Sequence, residues 1–153
     1  MTFIDDIYAR IGDSSKDRFS RAHAILSFTE YLELLRVAPY RLTRDVAQYA
    51  TDMMDHFGTY EVQGVGGPVR RFRVFDDPLG DGLVKVVGQE IVQNDLYGCL
   101  REFRQRRQVD RMLLLTGPNG SSKTTIVAAR VRGLEAYSRE EEGMLLRFNW
   151  IFS

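Results

Sequence analysis

The sequence predicts an α/β fold, in which a helical N-terminal module is followed by a strand hairpin and then by a strand–turn–helix unit. Three observations carry this. Apolar and small residues recur at three- and four-residue spacing between Ser20 and Phe57, the mark of helices with one buried stripe. The glycine-rich stretch Gly64-Val65-Gly66-Gly67-Pro68 separates two short alternating runs, which is the punctuation of a hairpin. The apolar run Arg111-Met112-Leu113-Leu114-Leu115-Thr116 leads through the turn-forming residues Gly117-Pro118-Asn119-Gly120 into a helix-like segment. The expected organisation is 1–58 for the helical module, 59–85 for the hairpin and linker, and 86–153 for the last unit.

In the first module, Ala22, Ile25, Leu26, Thr29, Leu32 and Leu35 form the stripe of a helix from Ser20 to Leu35. Ala38-Pro39 stops it, because proline cannot continue the hydrogen-bond ladder. Thr43 is placed to cap a second helix with Val46, Ala50, Met53, Met54 and Phe57 on one face, and Gly58 is a natural C-terminal stop. The Met53-Met54-Phe57 cluster reads as core packing rather than as a soft partner-binding surface. His23 and His56 stand apart without metal-ligand neighbours and read as ordinary helix residues.

Glu61-Val62-Gln63 and Val69 to Phe75 read as the strands of the hairpin. The basic and aromatic run Arg70-Arg71-Phe72-Arg73 suits a half-exposed strand with Phe72 or Val74 inward. Asp76-Asp77-Pro78-Leu79-Gly80-Asp81-Gly82 reads as a solvated linker, since its carboxylates lack the ligand order of a calcium loop. Val86-Val87-Gly88-Gln89-Glu90 then leads into a helix with Val92, Leu96, Leu100 and Phe103 on one side. Arg101, Arg104, Arg106 and Arg107 crowd the end of that helix, where cations complement its dipole.

Composition bounds the function classes. The chain has 153 residues, of which 44% are hydrophobic and 27% charged, the balance of a soluble globular protein. Its formal net charge is zero, so no broad basic field points to nucleic acid or to a membrane surface. A single cysteine, Cys99, excludes an internal disulfide framework and fits a reducing cytoplasm. Its place inside an apolar-striped helix makes it packing material rather than a reactive thiol. No apolar run reaches the length of a membrane span, and the N-terminal MTFIDDIYARIG lacks the layout of a signal peptide. The expected location is cytoplasmic.

The chemistry concentrates in GPNGSSKT, residues 117–124. Glycines at 117 and 120 let the backbone turn sharply and bring amide groups toward an anion, and the positive end of the following helix adds to that attraction. This is the layout of a phosphate-binding loop, in which Lys123 neutralises the β- and γ-phosphates of a nucleotide and the Thr124 hydroxyl ligates Mg2+. Candidate cofactor-binding residues are Gly117, Pro118, Asn119, Gly120, Ser121, Ser122, Lys123, Thr124 and Thr125, with Thr124 as the metal ligand. The strict pattern has glycine immediately before the lysine; here that position is Ser122, which is small enough to fit if the local backbone angles suit an L-residue, but whose side chain can crowd an approaching phosphate.

Beyond the residues themselves, the chain resembles the N-terminal part of the PrkA family of serine protein kinases, proteins of the AAA+ type. The resemblance rests on Phe28-Thr29-Glu30-Tyr31-Leu32, on Tyr49 to Gly58, on Arg71-Phe72-Arg73-Val74-Phe75, on Val87-Gly88-Gln89-Glu90 leading to GPNGSSKT, and on Leu134-Glu135-Ala136-Tyr137-Ser138. It runs from about Phe19 to Ile151. It implies a helical module followed by the truncated beginning of an AAA+ P-loop domain, with ATP and Mg2+ as cofactors and Gly88 near the adenine. It also implies a protein partner or self-association through AAA-type surfaces.

The resemblance does not carry catalysis with it. A P-loop ATPase needs an apolar strand ending in acidic residues, whereas the apolar run Met144 to Phe152 carries neither Asp nor Glu. Glu140, Glu141 and Glu142 precede that run and read as a solvated turn, so no catalytic residue is assigned. The expected function is ATP and Mg2+ binding without hydrolysis or kinase activity by this chain alone. Two other readings stay open: a non-enzymatic interaction module with a vestigial loop, and a chain completed by a separate polypeptide. In the AAA+ arrangement the strand 112–116 lies between later strands of the sheet, so here it is expected to lack neighbours. Slower amide exchange is accordingly expected in 20–57 than in 111–150.

Overall fold

The computed structural model describes residues 26–148. The readings made on the N-terminal segment and at Ala22, His23, Ile25 and Trp150 lie outside the described residues. Five α-helices and one two-stranded sheet occur among those described, a small mixed α/β chain. The described residues fall into two compact units, 26–43 with 138–148, and 44–137.

In the smaller unit, α1 (Phe28–Val37) begins at a capping box: Ser27 Oγ accepts from the Glu30 amide, and the Glu30 carboxylate accepts from the Ser27 amide at 2.7 Å. Two orphan amides are satisfied reciprocally. Ser27 has extended backbone angles, so the helix expected to run from Ser20 is interrupted there. The break before Pro39 is observed, with Ala38 closing α1 and Pro39 opening the short helix α2 (Pro39–Leu42). Leu34 is buried, with Leu26, Leu42 and Met144 against it. Phe148 packs edge-on to Tyr31 at 5.0 Å between ring centroids. Of the apolar run Met144 to Phe152, the described residues 144–148 form no ladder with any other described residue. Glu141 of the expected solvated turn pairs with Arg41 at 3.7 Å.

The larger unit starts with α3 (Val46–Phe57), stopped by Gly58 as expected. Its cap is Asp45 rather than Thr43: the Asp45 carboxylate accepts from the Gln48 amide at 2.7 Å, and the Gln48 side chain accepts in return from the Asp45 amide. Thr43 instead closes α2, its hydroxyl donating to the Pro39 carbonyl. Starting the helix at 46 turns Val46 to solvent at 83% exposure, correcting its expected place on the inner face. Met53 and Met54 are fully buried, as a core role requires.

Strands β1 (Thr59–Gly64) and β2 (Gly67–Phe72) pair antiparallel with Gly64 opposite Gly67, so Val65-Gly66 forms a two-residue turn. Beyond Phe72 the expected strand gives way to a 3-10 turn, Arg73–Phe75. Val74 and Phe75 are both fully buried. Adjacent residues of a strand point to opposite faces, so burying both against one core demands a turn. The 76–82 segment is not a solvated linker throughout. Asp76 bridges back to Lys85, and the Val86 amide donates to the Phe75 carbonyl at 2.9 Å.

Two helices complete the unit. Helix α4 (Glu90–Arg106) buries Leu96, Leu100 and Phe103, with Val92 partly buried, the stripe that its spacing predicts. Helix α5 (Lys123–Ser138) buries Ile126, Ala129, Gly133 and Tyr137. Gly133 is required by proximity: a Cβ there would overlap Val74 Cγ2 and stand 3.0 Å from Met53 Sδ. The run Arg111–Thr116, expected to be a strand, is paired with nothing among the described residues. Leu113 and Leu115 pack partly against the core, whereas Met112 and Leu114 are exposed.

Candidate functional site

The turn between 116 and 123 is built by three residues with positive φ: Gly117 at 152°, Gly120 at 82° and Ser122 at 60°. The two glycines adopt these angles without strain. Ser122 does not; a left-handed backbone brings its Cβ toward its own carbonyl oxygen. The backbone angles at Ser122 are thus ones that suit an L-residue poorly, the first of the two costs expected of a serine at this position. Helix α5 starts at once with Lys123, and the first helical bond runs from the Ile126 amide to the Ser122 carbonyl at 2.8 Å. The amides of Lys123, Thr124 and Thr125 therefore have no backbone acceptor among the described residues. Unsatisfied donors at a helix N-terminus carry the positive end of its dipole and are an anion-binding feature.

Lys123 folds back over this turn. Its Nζ donates to the carbonyls of Gly117 at 2.8 Å and Pro118 at 2.6 Å and lies 3.0 Å from Ser121 Oγ. Ser121 Oγ in turn donates to the Pro118 carbonyl at 2.8 Å. Ammonium and free amides are thus gathered within a short contiguous stretch, 117–125.

A cleft of about 440 Å³ opens beside the loop. One wall is α4, with Val92, Leu96 and Cys99; the other is the extended run Met112 to Thr116, and Ile126 of α5 closes it. Of the candidate residues, Gly117, Pro118, Ser121 and Lys123 line the cleft, whereas Asn119, Gly120, Ser122, Thr124 and Thr125 do not. Gln89, next to Gly88, reaches the same cleft, so the Val-Gly-Gln-Glu segment and the loop meet across a largely apolar space. Such a space, with a few polar groups at one end, has the size and character of a small-molecule site. Partly buried Cys99 contributes to its wall rather than to the core centre.

What holds Gln89 in place is visible only in the folded chain. Arg71, within β2, is buried and sends Nη2 to Asp76 at 2.6 Å and Nη1 to Glu90 at 2.5 Å. The same guanidinium reaches the carbonyls of Val86 and Gly88. Gln93 spans from the Gly88 carbonyl at 3.1 Å to the Phe72 amide at 3.2 Å. Together they clamp 86–90, including the left-handed Gln89 at φ 66°, onto the hairpin. Burial pushes the Asp76 carboxyl upward, but the Arg71 guanidinium and the Tyr60 hydroxyl outweigh that and hold it below the usual carboxylate range. Tyr60, donating to Asp76 at 2.7 Å, is raised by that bond. No periodic pattern distinguishes Arg71 from its neighbours Arg70 and Arg73, which is why only the fold reveals it.

Among the described residues no group of three His, Cys, Asp or Glu side chains is arranged to bind a metal. Thr124 offers a single hydroxyl, exposed at the start of α5, which suits Mg2+ arriving with phosphate oxygens. No described helix is long and apolar enough to cross a membrane. In comparisons with known proteins, no family model, no curated protein and no solved structure matches this chain.

Proposed function

We propose that the chain binds the phosphate groups of a nucleoside triphosphate, ATP with Mg2+, through Gly117 to Thr125, and does not hydrolyse it alone. The observation that carries this reading is the convergence of the Lys123 ammonium with the three free amides that open α5. An anion entering the turn gains these donors in one small volume and takes over the ammonium from the two carbonyls that now hold it. The Thr124 hydroxyl supplies a protein ligand for Mg2+, and the phosphates and water supply the rest. The apolar cleft beside the loop, with Gln89 at its edge, has room for a planar base. On this reading the chain is a nucleotide-binding piece with the character of the PrkA-type AAA+ module.

Turnover is a different matter. Nothing in the apolar run after the loop offers a carboxylate to orient water or hold the metal, and catalytic groups of this kind are worth orders of magnitude in rate. Titration calorimetry with ATP and Mg2+ tests the reading. Binding is expected, weakened at least tenfold by Lys123→Ala, with ADP retained better than AMP and no phosphate release above that of Lys123→Ala. Absence of heat with ATP at millimolar concentration would reduce the loop to a structural turn and favour a non-enzymatic interaction module.

A further inference from the structure

Two charged side chains line the cleft beside the loop: Lys123, already part of the turn, and Asp95 of α4. Asp95 is exposed, and among the described residues its carboxylate has neither a hydrogen-bond nor an ion-pair partner. A carboxylate can only accept, and its two oxygens have room for about four hydrogen bonds. Set in a wall that is otherwise mostly apolar, it gives the cleft an acceptor apart from the donors of the loop. We propose that Asp95 receives the ribose hydroxyls of the nucleotide and makes the cleft selective for ribonucleotides over deoxyribonucleotides, an inference that rests on the phosphate reading of 117–125.

The position of Asp95 follows from how the run after α4 returns along it. Arg111 pairs with Glu102 at 3.2 Å, near the C-terminal end of the helix, and the run Met112 to Thr116 lines the same cleft as Gln89, Val92, Leu96 and Cys99. Five extended residues span about 17 Å, the rise of about eleven residues of helix. Thr116 is thereby brought level with the first turn of α4, and the loop follows at that end. Asp95 stands six residues after Gln89, about 9 Å further along the axis. With phosphates held at the loop, ribose is the next group of a nucleotide to enter the cleft. Its two adjacent hydroxyls offer a donor to each carboxylate oxygen, and acidic side chains take ribose hydroxyls in this way in dinucleotide-binding folds. Adenine has one exocyclic amine to offer and a flat face that suits the apolar side chains of Val92, Leu96 and Leu113 instead. A rim exposed to water also fits hydroxyls better than a base.

Calorimetric titration of the full chain with Mg2+ and, in turn, ATP, 2′-deoxy-ATP, 3′-deoxy-ATP and inorganic tripolyphosphate tests this. Each deoxynucleotide is expected to bind the wild type about tenfold more weakly than ATP. In Asp95→Ala the three nucleotides are expected to bind alike, with ATP weakened at least about tenfold. Because Asp95 is exposed, the variant should melt as the wild type does. Tripolyphosphate, which has no sugar, is expected to bind wild type and Asp95→Ala within about twofold of each other and to be weakened by Lys123→Ala. Equal affinity of the wild type for ATP and both deoxynucleotides, or a deoxy penalty that survives Asp95→Ala, would overturn the proposal, while tripolyphosphate binding sensitive to Lys123→Ala would leave the phosphate reading standing. A loss in Asp95→Ala that is the same factor for all three nucleotides would put the carboxylate on the base and overturn it too. Failure of both ATP and tripolyphosphate to bind would overturn the phosphate reading and this inference with it.

Discussion

Gly133→Ala tests the packing that holds the 117–125 turn in place. In the interior of a helix this change ordinarily gains about 1 kcal/mol. Here the sign reverses, because the new methyl overlaps Val74 Cγ2 and stands 3.0 Å from Met53 Sδ. Val74 and Met53 are both fully buried, so neither has solvent to retreat into. Overpacking of this kind costs about 1–3 kcal/mol; against the propensity gain, the expected net loss is up to about 2 kcal/mol. Val74→Ala alone empties the same spot and costs about 2 kcal/mol through lost burial and a residual cavity. In the double variant the methyl introduced by Gly133→Ala occupies the space that Val74 vacates. The overlap vanishes and the helix gain returns, so the pair is expected to be about 2 kcal/mol more stable than the sum of the single changes. Urea unfolding of the four proteins measures this directly. With slopes of about 1–3 kcal/mol/M, Val74→Ala loses between about 0.7 and 2 M in midpoint and Gly133→Ala up to about 2 M, while the slope stays constant. Stabilisation by Gly133→Ala, or strictly additive energies, would mean that α5 does not approach Val74 this closely. The position of the loop that α5 carries would then be wrong as well.

Two further outcomes are expected. Ser122→Gly relieves a left-handed serine at φ 60° and should raise stability by about 1 kcal/mol, seen as a melting temperature a few degrees higher; Ser122→Val should lower it. Asp76, held below its ordinary range by Arg71 and Tyr60, contributes stability above its unfolded value near about 4. That contribution is lost as pH falls through the lower folded value. Asp76→Asn should therefore cost about 2 kcal/mol at pH 7, and the gap from wild type should close below about pH 4 in acid-dependent thermal melts.

The parts of the fold that sequence reveals here are those decided by near neighbours. The stripe Leu96, Leu100, Phe103, the stop at Gly58 and the turn between Gly64 and Gly67 are all local, and all are observed. Capping is harder to read: Thr43 and Asp45 are both acceptable caps by type, and only Gln48 three residues after Asp45 makes the reciprocal pair. The break at Ser27 carries the same signature, Ser followed three residues later by Glu30, but the apolar spacing across it conceals the interruption. Contact between distant residues is out of reach of such patterns. Arg71 with Glu90, and Gly133 against Val74, join segments whose pairing no local pattern encodes.

The same distinction explains why a loop of this kind stands beside a strand without a sheet. The φ angles at Gly117, Gly120 and Ser122, the ammonium of Lys123 and the free amides of α5 all come from one continuous stretch, 117–125. Helix α5 is held by Ile126, Ala129, Gly133 and Tyr137 against the core of its own unit, so its N-terminus needs no neighbouring strand to fix it. The run 111–116 has the opposite character. Its side chains alternate correctly, but a ladder requires a partner, and no described residue supplies one. The proposed anion binding would therefore act through the end of a packed helix and would not depend on the backbone of 111–116.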